Sequence, residues 1–271
     1  MSDVVLVVLN RPEQAPFLLD AAAELRQLAG GGRVQVLPLQ APSPLLATAD
    51  SGLMDEALQI IITEGKDRRQ ALRGVYDQWV ARGTIDGVQS HWIDAAGPCV
   101  TDVEQHGRRA DYIVIGRPCP DDDASDRQGF RAALFRTERP LLVVPPGGSG
   151  GFGRRIAVLW RDDGRAIKAL LPAIRLFGHA ERIDLLAGVR PKSPEPKLPP
   201  ALAEHGIKAE LHVLEIGSGA FARTLLDRAT KLGADLLVMG AYAHNPLKDL
   251  ILGGVTRDIL AWAELPVLMR H

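Results

Sequence analysis

The fold is decided by Ala-Asp-Leu-Leu-Val-Met-Gly at residues 234–240 and Leu-Gly-Gly-Val-Thr at residues 252–256. The first segment has the unbroken apolar run of a buried strand and ends at a glycine, and the second is a glycine turn that opens a helix. A strand, a glycine-bearing loop and a helix N-terminus bring free backbone N–H groups and the positive end of a helix dipole to one place. This arrangement favours a bound phosphate or another anion.

The chain contains a second copy of this pattern. Residues 110–116 read Ala-Asp-Tyr-Ile-Val-Ile-Gly and share the Ala, Asp and Gly positions of residues 234–240. Pro-Leu-Leu-Val-Val at 140–144 likewise corresponds to Pro-Val-Leu-Met-Arg at 266–270. A repeat of this length indicates a duplicated domain, and Pro-Pro-Gly-Gly-Ser-Gly-Gly at 145–151 has the composition of a linker. We therefore predict domains at residues 1–146 and 154–271.

Apolar runs and helical patterns alternate through both halves, which predicts an α/β fold. We expect two tandem doubly wound domains, each with a five-stranded parallel sheet that helices cover on both faces. Strands are expected near 4–9, 34–39, 87–93, 111–116, 140–145, 155–160, 182–187, 208–214, 235–240 and 266–270. Helices are expected near 15–29, 53–82, 98–109, 127–137, 164–177, 198–205, 219–232 and 255–264.

Composition excludes several classes of partner. The 271 residues carry a formal net charge of −1 and only 5% aromatic residues, so we expect no nucleic-acid binding. The apolar run Val4–Leu9 is too short to span a membrane and lacks the flanks of a secretion signal, so we expect no membrane association. Two cysteines in a chain of this length fit a reducing cytoplasm, where we expect the protein to act.

The glycine segment resembles the motif of the universal stress protein family. In that motif a glycine ends the fourth strand, a second follows three residues later, and nine residues separate it from a Gly-Ser/Thr turn. Gly240 and Gly253 occupy two of the glycine positions, Ala243 stands at the other, and Gly254 stands at the Ser/Thr position. The resemblance is strong in 154–271 and weak in 1–148, and it is typical of the bacterial members with two domains in one chain.

The resemblance implies a Rossmann-like nucleotide-binding fold related to the adenine-nucleotide alpha hydrolases. Some members bind ATP or AMP, with an aspartate after the first strand and the glycine motif around the phosphates, and others bind no nucleotide. Arg161 stands at the usual aspartate position, and Asp162 replaces it if the turn shifts by one residue. The implied nucleotide-binding residues are Arg161, Asp162, Met239, Gly240, Ala243, His244, Gly253, Gly254, Val255 and Thr256.

These features favour a stress-associated binding or regulatory protein that is not an enzyme. It would hold ATP or AMP in its C-terminal domain, with Mg²⁺ accompanying ATP, and the alternatives are a ligand-free scaffold or a slow nucleotide hydrolase. We expect no catalytic residue and no protein-bound metal. We also expect the two domains to pair within the chain through their final strands, with a homodimer and an unidentified protein partner as further expectations.

The first half departs further from the motif, and we predict that it binds no nucleotide. Gly116 is followed by Arg-Pro-Cys-Pro, and the two prolines remove backbone N–H donors from the loop. The acidic run Asp121–Asp123 would repel phosphate, and we expect it to be solvated and to cap the following helix. The first half is therefore expected to act as a structural partner. Cys119 lies in this strand-end loop, where a ligand would bind.

Two features of the second half leave alternatives open. Trp160, at the end of a predicted strand, would either stack on a base or pack in the core. The segment Pro191–Pro200 contains five prolines and is expected to be extended at the surface. It replaces the long helix of the first half, and it would form either a lid or partner site, or an inert truncation.

Overall fold

The structure is a computed structural model. It describes residues 3–39, 52–83, 88–95, 99–148, 150–162, 164–192, 194–216, 221–241 and 254–271. The chain divides into two compact units. The first contains Met1–Arg26 and Gly32–Arg139, and the second contains Gln27–Gly31 and Pro140–His271. The boundary between the units thus precedes the glycine-rich segment that the sequence suggests as a linker.

The first half of the chain alternates strands and helices as the sequence predicts. Its elements are β1 (Val4–Leu9), α1 (Ala15–Leu28), β2 (Arg33–Pro38), α2 (Gly52–Ala81), β3 (Gln89–Trp92), α3 (Cys99–Gly107), β4 (Tyr112–Gly116), α4 (Ala124–Phe135) and β5 (Leu141–Val144). In the first unit the strand order is β3-β2-β1-β4, and every pair is parallel. All six residues of β1 are buried, as expected for a central strand covered on both faces.

Helix α2 packs on this unit through an apolar stripe. Leu72, Tyr76 and Trp79 lie on one helical face and are buried. The polar ends of the two aromatic side chains are also satisfied: Trp79 Nε1 donates to Asp20 Oδ1 over 2.8 Å, and Tyr76 Oη lies 3.0 Å from Ser90 Oγ. The helix is thus held by aromatic packing and by hydrogen bonds that burial of these rings requires.

The second half repeats this order of elements. They are β6 (Arg155–Trp160), α5 (Gly164–Ile174), β7 (Arg182–Val189), α6 (Pro200–Glu204), β8 (Glu210–Glu215), α7 (Phe221–Lys231), β9 (Leu236–Gly240), α8 (Gly254–Trp262) and β10 (Val267–Arg270). A single 3-10 turn at Phe177–His179 follows α5. The parallel strands lie in the order β10-β9-β6-β7-β8, which confirms the doubly wound topology.

One strand lies in a different unit from the rest of its half. Strand β5 ends the first half of the sequence but belongs to the second unit, where it pairs antiparallel with β10. Leu142 lies opposite Leu268 in this pair, and all four residues of β5 are buried. The sheet of the second unit is therefore mostly parallel, with one antiparallel strand at its side. The predicted domain limits, 1–146 and 154–271, stay predictions.

A carboxylate fixes the start of the central strand in each unit. Asp235, just before β9, accepts backbone N–H groups from Gly153 (2.8 Å), Arg154 (3.2 Å) and Arg155 (3.0 Å). Asp111 occupies the corresponding place before β4 and accepts the N–H of Val4 over 2.8 Å. The repeated Ala-Asp pair therefore ties the fourth strand of each half to the first residues of that half's central strand.

Replacing Asp235 by alanine should lower the free energy of unfolding of the second unit. The change leaves three backbone donors without their acceptor, which costs roughly 1–3 kcal/mol. The free energy of unfolding of Asp235→Asn should lie between those of the unmodified protein and Asp235→Ala, because an amide offers one acceptor oxygen where the carboxylate offers two. Urea denaturation measures the difference.

The exposed Asp227 on α7 provides the matched control. Asp227→Ala should stay within about 0.5 kcal/mol of the unmodified protein. Equal stabilities for Asp235→Ala and Asp227→Ala would show that the carboxylate does not hold the strand.

Candidate ligand site at the carboxyl edge of the second sheet

The strand order of the second unit places a crevice between β6 and β9. From β6 the chain proceeds to β7 and β8 on one side, and β9 and β10 lie on the other. Leu159 pairs with Met239, so the carboxyl ends of these two strands lie side by side. Ligands of doubly wound sheets bind where the strand order reverses in this way. The topology thus identifies one edge of the second sheet as the candidate site.

The structure brings several of the predicted site residues to this edge. Arg161 and Asp162 follow β6 directly and are exposed, and the partly exposed Gly240 ends β9. Met239 is buried in β9, so its side chain belongs to the core and only its backbone is at the edge. Ala243, His244 and Gly253 lie outside the described residues.

The start of α8 supplies the other described part of the glycine motif. Gly254 begins the helix and is exposed, and a Cβ placed on it would meet nothing within 4 Å. The side chain of Val255 is 40% exposed, whereas Thr256 is buried in the first turn. A side chain at position 254 would therefore point into open space, and the absence of the usual hydroxyl is not imposed by crowding.

Arg270 is a residue of this edge that sequence reasoning missed. It ends β10 and pairs with Gly240, and its backbone carbonyl accepts the N–H of Ala241 over 2.8 Å. Its Nη1 donates to the carbonyl of Lys168 over 3.4 Å, while its buried Nε has no partner among the described residues. An arginine as the last residue of the final strand is the signal in the sequence. It adds positive charge beside the glycine end of β9.

Trp160 packs in the core and tethers the proline-rich segment. Its ring is buried, and its Nε1 donates to the backbone carbonyl of Lys197 over 2.9 Å. Of the two roles predicted for Trp160, packing in the core is therefore the correct one. The segment leads into the short helix α6, which begins at Pro200 and stands where the first half has α2. The tether holds this segment at the carboxyl end of β6, beside the candidate site.

The corresponding edge of the first unit is closed by its own side chains. Asp123 caps α4 as predicted, with a reciprocal bond between Asp123 and Asp126. The expectation that the acidic run is solvated is wrong for Asp122, which is buried against Arg11. Cys119 is half-buried, and its Sγ lies 3.3 Å from the carbonyl oxygen of Arg117. The loop is therefore built around internal ion pairs.

A second polar cluster lies at the opposite edge, where β7 and β8 begin. His212 Nε2 lies 2.6 Å from Asp184 Oδ1 and 3.8 Å from Glu210 Oε2. Arg182 pairs with both carboxylates, at 2.8 Å from Asp184 and 2.6 Å from Glu210. The sequence signal was the spacing of two within each strand, which places these side chains on one face. The cluster is not among the predicted sites.

The two carboxylates, Asp184 and Glu210, and the imidazole of His212 are close enough together to hold a metal ion. The tautomer of His212 opposes this use. Their ligand atoms lie within 4.8 Å of one another. Arg228 Nη2 lies 2.9 Å from His212 Nδ1, and a guanidinium only donates, so Nδ1 must accept and the proton lies on Nε2. That proton is donated to Asp184, and Nε2 has no lone pair for a metal. The cluster therefore cross-links β7, β8 and α7.

The same contacts set the charge state of Asp184. Burial alone would raise the pKa of its carboxyl, but hydrogen bonds from Arg182 and His212 outweigh burial and hold the pKa below its ordinary value. The carboxylate is therefore the form that the folded unit stabilises.

The C-terminal part of the chain matches a known protein family. Residues 166–271 match the universal stress protein family. This segment contains β7 to β10, Gly240 and the start of α8, whereas β6, Arg161 and Asp162 precede it. The C-terminal part of the chain is therefore similar to the universal stress protein family. Stress response protein NhaX of Bacillus subtilis (strain 168) is 32% identical over 68 residues, which are 25% of this chain and 39% of that protein. The match thus spans well under two thirds of the relative.

Solved structures extend the likeness in fold over the whole chain. A universal stress protein from Archaeoglobus fulgidus DSM 4304 has a TM-score of 0.66 at 13% identity, covering 98% of this chain and 95% of its own. A functionally unknown protein from Pseudomonas aeruginosa PAO1 has a TM-score of 0.56 at 18% identity, covering 99% and 92% respectively. At these identities the likeness concerns the fold alone. It confirms the expected fold class, and the family supports a stress-associated role.

None of the helices in the described residues is both long and apolar enough to cross a membrane.

Replacing Trp160 by phenylalanine should loosen the proline-rich segment without opening the core. An aromatic ring, smaller than the indole, still fills the core, but the bond from Nε1 to the Lys197 carbonyl is lost, which is worth about 0.5–1.5 kcal/mol. Trypsin should therefore cleave after Lys197 roughly two to twelve times faster, provided that cleavage follows local opening. Mass spectrometry of a digestion time course measures the rate at that bond.

Cleavage after Lys231, at the end of α7, serves as the internal control and should not change. Unchanged cleavage after Lys197 would show that the tether does not restrain the segment.

The Asp184 cluster should make the second unit less stable in acid. Because the pKa of Asp184 is lower in the folded state than the roughly 3.9 of a free aspartate, its ionised form contributes stability above that pH. This contribution is lost as the pH falls through the folded-state value. The difference in urea midpoint between the unmodified protein and Asp184→Asn should be largest near neutral pH and should shrink below about pH 4. Asp227→Asn, at an exposed site, should show no such trend. A difference that stays constant with pH would contradict this assignment.

Proposed function

We propose that the protein is a stress-associated, non-catalytic binding protein that acts in the cytoplasm and holds ATP or AMP at the carboxyl edge of its second sheet. The observation that carries this proposal is the position of Gly240 and of the start of α8 at the β6/β9 crevice, within the segment that matches the family. The cytoplasmic assignment is supported by the two free cysteines.

The chemistry of this edge suits an anion. The N-terminus of α8 offers free N–H groups and a positive dipole end, and the space at Gly254 is open. Arg161 and Arg270 add positive charge at the carboxyl ends of β6 and β10. We assign the phosphates to the start of α8 and to Gly240, and the nucleoside to the side of β6.

Each assigned residue would have a defined task. Arg161 would pair with a phosphate oxygen, and Asp162 would accept a hydrogen bond from the ribose or base, or help to hold Mg²⁺ when ATP is bound. When bound, Mg²⁺ would neutralise part of the triphosphate charge. Gly240 would allow the close approach that a side chain would block. These roles bind and orient a nucleotide, and none of them supplies a nucleophile.

The non-catalytic assignment is supported by the sequence and by the polar cluster. The chain has no Gly-Lys-Ser/Thr phosphate loop to position a metal and a transferred phosphoryl group. His212, which pairs with a carboxylate, has its other nitrogen facing Arg228 and lies at the opposite edge.

We also propose that the final strands pair the two domains, that the chain can form a homodimer, and that its output passes through a protein partner. The β5–β10 pair supports the first of these.

Gly254→Ser should tighten nucleotide binding. The substitution restores the hydroxyl of the family motif in open space, and a hydrogen bond to a charged phosphate is worth roughly 1.5–3 kcal/mol, or about tenfold or more in Kd. Gly254→Asp should weaken binding at least about tenfold by repulsion. Isothermal titration with ATP and AMP, with and without Mg²⁺, measures these constants.

Gly178→Ser is the matched control, because Gly178 is also exposed in open space but lies before β7, at the other edge. It should leave Kd unchanged. No heat and no competition at millimolar ATP or AMP would favour a ligand-free scaffold. Turnover of ATP that Gly254→Asp abolishes would favour a slow hydrolase.

A further inference from the structure

The first unit has its own strand-reversal crevice, between β1 and β4. From β1 the chain proceeds to β2 and β3 on one side, and β4 lies on the other. Val8 pairs with Ile115, so the carboxyl ends of β1 and β4 lie side by side. Asn10 and Arg11 follow β1, and Gly116 ends β4. This is the place in the first unit where a ligand would bind.

A carboxylate of the chain occupies this place. Asp122 Oδ1 accepts from Arg11 Nη2 at 2.5 Å, and Asp122 Oδ2 accepts the backbone N–H of Cys119 at 2.8 Å. Only 5% of the Asp122 side chain and 18% of the Arg11 side chain are exposed. A guanidinium together with a loop N–H is the donor set that proteins use for bound phosphate or carboxylate. Asp122 is bound here as an external anion would be.

The loop that carries Asp122 is fastened by other contacts. The Asp122 N–H donates to the carbonyl of Cys119 over 3.1 Å, and Arg127 Nη1 donates to the Asp122 carbonyl. Arg68, on α2, pairs with Asp123 over 2.9 Å. The carboxylate is therefore held in the crevice by a loop with a defined conformation, and it does not depend on the Arg11 contact alone for its position.

A second observation is that a buried polar atom in the crevice has no hydrogen-bond partner among the described residues. Asn10 is 7% exposed, and its Oδ1 is buried without a hydrogen-bond partner among the described residues. This oxygen faces Gly116, lying 3.8 Å from where a Cβ on that residue would be. A buried acceptor without a donor costs free energy, and ligand-binding sites tolerate such groups because the ligand supplies the partner.

We propose that Asp122 is an internal ligand of the first unit: its carboxylate occupies an anion site formed by Arg11 and the Cys119 N–H, and it excludes anions of the phosphate class. The first unit is then held in a ligand-bound form at all times, whatever the concentration of nucleotide or phosphate. This goes beyond the nucleotide site proposed for the second unit and does not depend on it.

Asp122→Asn tests this proposal, because the amide keeps the shape but removes the charge that competes with an external anion. The probe is inorganic phosphate, titrated into the full chain carrying Gly254→Asp, which weakens anion binding in the second unit. The same chain with Asp122 intact measures the heat that remains. The expected result is saturable phosphate binding that is at least tenfold tighter than in the same chain with Asp122 intact, together with a phosphate-dependent shift of the Cys119 amide resonance.

Two controls locate the effect. Asp121→Asn removes one negative charge from an exposed neighbour and should give no gain in phosphate binding. Arg11→Leu added to Asp122→Asn should abolish the gained binding, because the guanidinium is lost. A folded Asp122→Asn variant that does not bind phosphate would overturn the proposal. The proposal would also be overturned if phosphate shifted the Cys119 amide resonance equally in the chain with Asp122 and in the Asp122→Asn variant.

Loss of the ion pair can also destabilise the first unit, and a thermal measurement covers that case. In the chain carrying Gly254→Asp, the unfolding midpoint of Asp122→Asn should rise more steeply with phosphate concentration than the midpoint of Asp121→Asn, which reports only the general effect of phosphate. If Asp122→Asn does not fold in buffer without phosphate, millimolar phosphate should restore a cooperative transition. Failure of phosphate to restore it would overturn the proposal.

Discussion

Everything at the carboxyl edges of these sheets depends on how the opposite ends of the central strands are fixed. Asp235 gathers three backbone N–H groups where β6 begins, and Asp111 binds the N–H of Val4 where β1 begins. Each carboxylate locks the register of a central strand against the fourth strand of its half. Because strands are stiff, this also fixes where each strand ends, and so the position of the crevice between them.

Most of the fold could be predicted because strand and helix patterns are local. The buried run Val4–Leu9 and the apolar stripe of Leu72, Tyr76 and Trp79 on α2 follow from period alone. The Ala-Asp pair and the final Gly that recur in residues 110–116 and 234–240 indicate the duplication. The period of the apolar residues does not show which strands pair with each other. It therefore could not predict that β5 belongs to the second unit and pairs antiparallel with β10.

The candidate site was less predictable, because its chemistry depends on long-range pairs. Sequence placed Arg161, Asp162 and Gly240 at one edge, and the strand order brings them there. It did not reveal the burial of Asp122 against Arg11, 111 positions away, since acidic runs are usually solvated. The Asp184–His212–Arg228 contacts were missed for the same reason: three separate elements supply them.

Because β5 pairs with β10, the two halves of the chain cannot be separated at the glycine-rich segment without exposing a strand edge. A cut within the glycine-rich segment 145–151 would leave β10 without the neighbour that now covers its open side. An uncovered strand edge readily accepts another chain. A lone C-terminal half would thus present a surface suited to a second copy of itself, and the fused chain satisfies that surface internally. In the fused chain, β5 covers the edge of β10 that a second copy would otherwise cover.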